Sequence, residues 1–136
     1  MQKKSLQSDS QARAVGRRKT ASARVRITPG KGVVTVNGKE LSVYFPTKIL
    51  SDKVMSPLKA VGKEKDTDVS VKVSGGGKVG QADAVRHGIA RSLVAWNPDF
   101  RPVLKAEHFM TRDQRSKERK KPGLRKARRG HQWRKR

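Results

Sequence analysis

The sequence predicts a small α+β domain that carries a long, extended and basic C-terminal tail. Apolar residues alternate with period two in several short segments, apolar residues form one helix-length stripe, and basic charge rises sharply after residue 111. The chain has 136 residues, a net charge of +23 and only 33% apolar residues, so a modest core flanked by polar arms is expected. We divide it into a mobile leader (1–13), a globular body (14–110) and a tail (111–136).

Apolar alternation predicts three strands in the body. Residues 21–28 place Ala, Val and Ile on one face and the cations Arg24 and Arg26 on the other. Residues 33–36 form a short second strand, and residues 69–73 have valine at every second position. These segments predict a half-buried sheet with a cationic outer face.

Helical spacing occurs in four segments of the body. We expect a short helix at 41–45 and a second helix that is capped by Thr47 and interrupted by Pro57. A brief helix is expected after Pro102. The clearest helix carries an apolar stripe at spacings of three and four, formed by Ala82, Val85, Ile89, Leu93 and Trp96.

Several kinds of site do not fit this sequence. The chain has no Cys, and its three His residues lack metal-ligand spacing. Glycines 75, 77 and 80 match a dinucleotide-binding fingerprint, but the turn at 97–99 stands where a second parallel strand should end. No apolar run is long enough to span a membrane, and the tail has no apolar face for lipid attachment. We therefore expect no catalytic residue, metal, cofactor, small-molecule substrate or membrane partner.

Two features each have two interpretations. The glycine segment is either a tight turn, or a helix start at which Gly76 and Gly77 offer backbone N–H groups to a phosphate of a polyanion. His87 is either structural or an RNA contact, and a local hydrogen bond to Asp83 is expected. We place Asp83 in the first turn of the helix, where the helix dipole favours its charge.

Basic clusters are the strongest functional signal. Residues 112–136 hold thirteen basic and two acidic residues, a net charge of +11. Arginine is prominent there, and its planar fork pairs with phosphate oxygens. Trp133 either stacks on a base or ribose, or anchors a neighbouring protein. The basic residues expected to bind RNA are Arg17, Arg18, Lys19, Arg24, Arg26, Lys72, Arg86, Arg91, Arg112, Arg115, Arg119, Lys120, Lys121, Arg125, Lys126, Arg128 and Arg129.

Three segments together resemble the bacterial-type ribosomal protein S-nine family of the small subunit. They are Gly16–Val25, Gly75–Arg91 and Thr111–Arg129, and the resemblance covers roughly residues 14–136. It implies a body of the ribosomal S-five second-domain type, with helices on one face of a mostly antiparallel, mostly four-stranded sheet. It also implies a non-enzymatic protein of the cytoplasmic small subunit, or of an organellar one.

The resemblance further implies where this protein acts. The body would bind ribosomal RNA of the subunit head beside neighbouring head proteins. The tail would reach the peptidyl-tRNA site, where Lys135 and Arg136, next to Trp133 and Arg134, would touch the backbone of the anticodon stem-loop.

Two rival functions are considered. A small-metabolite kinase of the same fold family would need acidic residues that hold magnesium near the glycine loop, and no such cluster is present there. A non-specific DNA-compacting protein would bind duplex DNA as well as it binds ribosomal RNA.

Overall fold

A five-stranded sheet carries the helices of the body on one face. The computed structural model describes residues 11–133. The strands are β1 (Ala12–Arg18), β2 (Ala21–Pro29), β3 (Val34–Val36), β4 (Lys39–Glu40) and β5 (Thr67–Ser74). Their order is β1-β2-β5-β3-β4, and every neighbouring pair is antiparallel except β3 and β5, which are parallel.

The helices close the core from one side. They are α1 (Leu41–Tyr44), α2 (Lys48–Ala60), α3 (Lys78–Trp96) and α4 (Arg101–Ala106), with a short 3-10 turn at Pro98–Phe100. Helix α3 packs across β1, β2 and β5, and α2 packs against α3. The predicted α+β class is confirmed. The core includes Val25, Ile27, Val36, Phe45, Val54, Leu58, Val71, Val85, Ile89 and Leu93.

Strand β1 was not predicted from the apolar pattern. Its inward-facing residues are Ala12, Ala14 and Gly16, which are too small to give a clear alternation of hydrophobicity. Together with the two-residue strand β4, it raises the three strands predicted from the apolar pattern to five, one more than the resemblance implied. Strand β1 also begins at Ala12, inside the range 1–13 that was expected to be a leader.

Pro57 does not interrupt the second helix, contrary to expectation. Helix α2 continues through this residue to Ala60. Pro57 and its neighbour Leu58 are both buried, so apolar burial offsets the loss of one backbone hydrogen bond near the end of the helix.

Two glycines bring β1 and α3 into direct backbone contact. A Cβ atom on Gly16 would overlap the carbonyl oxygen of Ala84 and the amide nitrogen of Gly88. A Cβ atom on Gly88 would lie 2.6 Å from Cγ2 of Val25 and 3.1 Å from the nitrogen of Gly16. Since only glycine fits on both sides of this contact, the end of β1 is held at a fixed position on the helix.

Replacing Gly16 by Ala should therefore separate β1 from α3. We expect Gly16→Ala to lower the free energy of unfolding by about 1–3 kcal/mol, the usual cost of overpacking a core. Gly80→Ala is the matched control, since a Cβ atom there would meet only the carbonyl oxygen of Arg18 at 3.8 Å. Because Gly80 lies within α3, its replacement should leave stability unchanged or raise it by up to about 1 kcal/mol. Chemical denaturation measures both, and equal losses would contradict the proposed contact.

Candidate nucleic-acid interface

Three segments meet at one corner of the body: the end of β1, the first half of α3 and residues 110–115, here called the tail root. The Arg18 side chain lies between them and is only 12% exposed. Its Nη1 lies 2.8 Å from Oδ1 of Asp113 and donates to the carbonyl oxygens of Asp113 and Arg115, at 3.4 and 3.0 Å. Its Nε lies 3.5 Å from Oδ2 of Asp83. Arg18 therefore ties the tail root to the body.

Asp83 on α3 forms ion pairs with cations from β1, α2 and α3 itself. Its Oδ1 lies 3.1 Å from Nζ of Lys53 on α2 and 3.7 Å from Nη2 of Arg86 one turn along the helix. Since α3 begins at Lys78, Asp83 lies in its second turn. The prediction that Asp83 lies in the first turn was therefore wrong. Among the hydrogen bonds of residues 11–133 there is none between Asp83 and His87, so that expectation was also wrong.

The His87 ring connects β1 to the tail root. The backbone N–H of Arg17 donates to Nδ1 at 3.4 Å, and Nε2 lies 3.3 Å from the carbonyl oxygen of Met110. Because a carbonyl oxygen only accepts, Nε2 carries the proton of the neutral ring. Burial lowers the pKa of His87 below its ordinary value of 6.5, although the bond to Met110 acts in the opposite direction. With both nitrogens engaged, the geometry favours the structural interpretation of His87.

The Asp113 carboxylate is held by two arginines. Arg115 donates its Nε, its Nη2 and its backbone N–H to the carboxylate at 2.9–3.2 Å. These bonds, with the charge of Arg18, hold the pKa of Asp113 well below its ordinary value of 3.8. The same pairing raises the pKa of Arg115. Arg115 was expected to bind RNA, but one edge of its guanidinium is already occupied by the Asp113 carboxylate.

Residues 116–133 contain no helix or strand, but they are not extended throughout. Glu118 closes a bend, since its Oε1 accepts from Nζ of Lys121 at 2.7 Å and its Oε2 accepts from Nε of Arg128 at 3.0 Å. At the end of this stretch, Trp133 is 78% exposed. Arg134, Lys135 and Arg136, which were expected to touch tRNA, lie outside the described residues.

The glycine segment forms a tight turn between β5 and α3. Gly75 and Gly76 have φ values of +77° and +63°, which only glycine adopts readily. Gln81 donates its side-chain N–H to the carbonyl oxygen of Gly75, and Gly77 caps the helix without a side-chain hydrogen bond. After α3, residues 97–133 contain no strand, so the chain they form cannot complete the dinucleotide-binding unit.

Other predicted residues lie around the corner and on the sheet. Arg17 is exposed at the end of β1, and Lys19 lies in the β1–β2 turn with φ +53°. The guanidinium of Arg86 lies 5.6 Å from the Phe109 ring centre, and the exposed Arg91 donates to the carbonyl oxygen of Val15. The remaining predicted cations are exposed: Arg24, Arg26 and Lys72 on the sheet, and Arg112, Arg119, Lys120, Lys121, Arg125, Lys126, Arg128 and Arg129 in the tail.

The structure brings a further cation to the sheet that sequence analysis missed. Arg13 is exposed on β1 and lies opposite Arg26 on β2. The signal that could have identified it is the small-residue alternation of Ala12, Ala14 and Gly16, which places Arg13 on the outer face.

The architecture is that of a polyanion-binding protein, with cations on a sheet face and a basic arm anchored at one corner of the body. Within residues 11–133, no cluster of three metal-ligating side chains occurs, and no helix has the length and apolar character needed to cross a bilayer.

Comparison with known proteins places the chain more narrowly. Residues 16–136 match the family model described as Ribosomal protein S9/S16. The small ribosomal subunit protein uS9 of Desulfovibrio desulfuricans is 54% identical over 89% of this chain and 93% of that protein. The proteins of the same name from Lawsonia intracellularis (51% identical; 90% and 95% covered) and Salinispora tropica (49%; 94% and 83%) are similarly related.

The chain belongs to the ribosomal protein S9/S16 family, and the expected resemblance is confirmed. This family is structural and not enzymatic. The chain is therefore a constituent of the small ribosomal subunit, associated with its RNA and with neighbouring ribosomal proteins, and it serves translation.

We predict that His87 makes the stability of the free protein depend on pH. Its pKa in the folded protein lies below 6.5, so the unfolded chain binds more protons, and stability should fall as the pH drops below about 6.5. His87→Gln should reduce this slope of unfolding free energy against pH, whereas His131→Gln should retain it. Nitrogen NMR should find the ring proton on Nε2. A proton on Nδ1, or an unchanged slope, would overturn the assignment.

We also predict that Asp113→Ala releases the tail root from the body. Backbone order parameters of residues 110–115 should fall from near 0.85, typical of rigid backbone, toward about 0.6. Asp52→Ala, which removes an exposed carboxylate from α2, should leave them unchanged. Equal order parameters in both variants would show that Arg18 does not hold the tail root through Asp113.

Proposed function

We propose that this protein binds ribosomal RNA of the small-subunit head through its exposed cations, and that its C-terminal end contacts peptidyl-site tRNA. The observation that carries the proposal is an arm with thirteen basic and two acidic residues whose root is fixed on the body by Arg18. A protein of this charge gains from neutralising phosphates, because bound counterions are released. Cytoplasmic ribosomes are the proposed location.

The predicted RNA-binding residues divide into two roles. Arg18 and His87 have their polar atoms bonded within the protein, so we assign them to positioning the tail root and β1. The exposed members contact phosphates directly: Arg17, Lys19, Arg24, Arg26, Lys72, Arg91, Arg112, Arg119, Lys120, Arg125, Lys126 and Arg129. The half-buried Arg86, which is paired with Asp83, contributes the part of its guanidinium that remains accessible. The backbone N–H groups at Gly76 and Gly77 supplement them.

Three cations of the tail have a mixed role. Arg115, Lys121 and Arg128 are each bonded to a carboxylate of the tail itself. A phosphodiester offers two oxygens that share one negative charge, as a carboxylate does, so RNA can replace Asp113 or Glu118 as the partner of these residues.

The proposed tRNA contact involves Trp133, Arg134, Lys135 and Arg136. Its support is the exposure of Trp133, the charge of the last three residues, and family membership. A contact through backbone phosphates carries no sequence information, which suits a site that receives every tRNA.

RNA binding is tested by comparing two polyanions at the same salt concentration. The full chain should bind head-domain ribosomal RNA more tightly than duplex DNA. Attraction to phosphates alone would give equal affinity for both, so a preference for the RNA shows specific recognition. Equal affinity for both would favour a non-specific DNA-compacting protein instead.

Deleting Lys135 and Arg136 should weaken retention of peptidyl-site tRNA and leave subunit assembly intact. The loss of two phosphate contacts should reduce the slope of log affinity against log salt by about 2 in filter-binding measurements on reconstituted subunits. The control is Lys59→Gln with Lys105→Gln, which removes two exposed cations from the helical side of the body. Failure of the truncated chain to enter subunits would contradict the separation of roles.

A further inference from the structure

The outer face of the sheet places like charges directly opposite one another. In the register of β1 and β2, Arg13 faces Arg26, and in the register of β2 and β5, Arg24 faces Lys72. All four side chains are exposed, and among residues 11–133 none of them forms a salt bridge. Cross-strand pairs of like charge destabilise a sheet, so this arrangement weakens the isolated protein.

The carboxylates of this face do not neutralise the cluster. Oδ1 of Asp68 on β5 accepts the backbone N–H groups of Lys31, Gly32 and Val33 at 2.9–3.1 Å. These bonds lower the pKa of Asp68 and fix the turn between β2 and β3. Glu40 lies opposite Thr35 on the strand at the far edge of the sheet. Among residues 11–133 no carboxylate forms a salt bridge with the four cations, so they remain available to an anionic partner.

The chemistry of the face identifies that molecule more closely. Ser70 lies beside Arg26 and Lys72, and Ser22, Ser74 and Thr28 flank the cations along the same strands. Their hydroxyl groups can bond to phosphate or 2′-hydroxyl oxygens. Strands β1, β2 and β5 contain no aromatic residue, so this face offers no platform on which an unpaired base could stack. Cations and hydroxyls without aromatics suit the sugar–phosphate backbone of paired RNA, whose bases are already stacked.

The cluster is also separated from the tail root by the sheet itself. The four cations project from the outer face, whereas Arg18 points inward to Asp83 on α3 and to Asp113 of the tail root. An RNA segment on the outer face therefore lies on the opposite side of the sheet from RNA bound at the tail root.

We propose that the outer sheet face formed by Arg13, Arg24, Arg26 and Lys72 binds the backbone of a double-stranded RNA segment distinct from the RNA bound by the tail. This inference rests on the proposed function and adds to it that the body bridges two RNA segments. The interaction is independent of base sequence, since it uses phosphates and 2′-hydroxyls.

Directed hydroxyl-radical probing tests the location. The chain has no Cys, so a single Cys can be introduced without competing thiols and can carry a tethered iron chelate. In reconstituted small subunits, Ser70→Cys on the outer face should cleave a base-paired segment, and Gln114→Cys at the tail root should cleave a different segment. Cleavage from the tail root alone, or of the same nucleotides from both positions, would overturn the inference and leave the proposed function standing. No cleavage from either position would contradict the proposed function itself.

Charge removal tests the energetic argument with the full chain and a short, fully paired RNA duplex as the probe. Arg24→Thr with Arg26→Thr should reduce the slope of log affinity against log salt by about 2, while the control Lys59→Gln with Lys105→Gln leaves the slope unchanged. The same sheet variant should melt at the same temperature as the wild type or higher at low salt, because like charges are relieved. Arg13→Gln with Lys72→Gln removes the opposite member of each pair. It should change the salt slope and the melting temperature in the same direction as Arg24→Thr with Arg26→Thr. Slopes equal to the control in both sheet variants would identify an ordinary solvated face.

Discussion

The backbone contact between Gly16 and Gly88 determines how the rest of the molecule is arranged. It allows β1 to lie directly on α3, with the backbone of Gly16 against that of Ala84 and Gly88. The residues that follow Gly16 are consequently presented to the helix at short range: the Arg17 N–H to His87, and the Arg18 side chain to Asp83. A side chain at either glycine would widen the gap, and the direction in which the tail leaves the body would no longer be fixed.

Four of the eleven acidic side chains fix geometry at points where a cationic chain would otherwise repel itself. Asp68 holds the β2–β3 turn, Asp83 gathers the cations of β1, α2 and α3, Asp113 holds the tail root, and Glu118 closes a bend in the tail. Each lies within a local cluster of N–H groups or cations. The remaining cations face outward, so the protein keeps its shape while a large positive charge remains for a partner.

The sequence predicted those parts of the fold whose cause is local. Strands β2 and β5 and helix α3 have strong apolar periodicity, and burial of Val85, Ile89 and Leu93 follows from their spacing. Strand β1 was not predicted because its inward-facing residues are small. Small residues are needed there because α3 packs so closely, and that packing is a tertiary contact that the local sequence does not reveal. The partners of His87 are 70 and 23 residues away in the chain, so no local pattern could have indicated them. The basic tail was evident from composition, but its bend at Glu118 depends on a pair ten residues apart.

An arm whose root is anchored on the body loses less conformational entropy on binding RNA than an unattached peptide does. An unattached basic peptide loses the freedom of all its residues when it is ordered on RNA. Here the arm starts from a point that Arg18 and Asp113 have already fixed on the body. Engagement of the arm becomes an intramolecular step with a high effective concentration, which can raise overall affinity by about 10²–10⁴ without any additional contact. The same reasoning gives Asp113 a role in a segment whose partner is negative, because its contact with Arg18 orders the tail root before RNA binds.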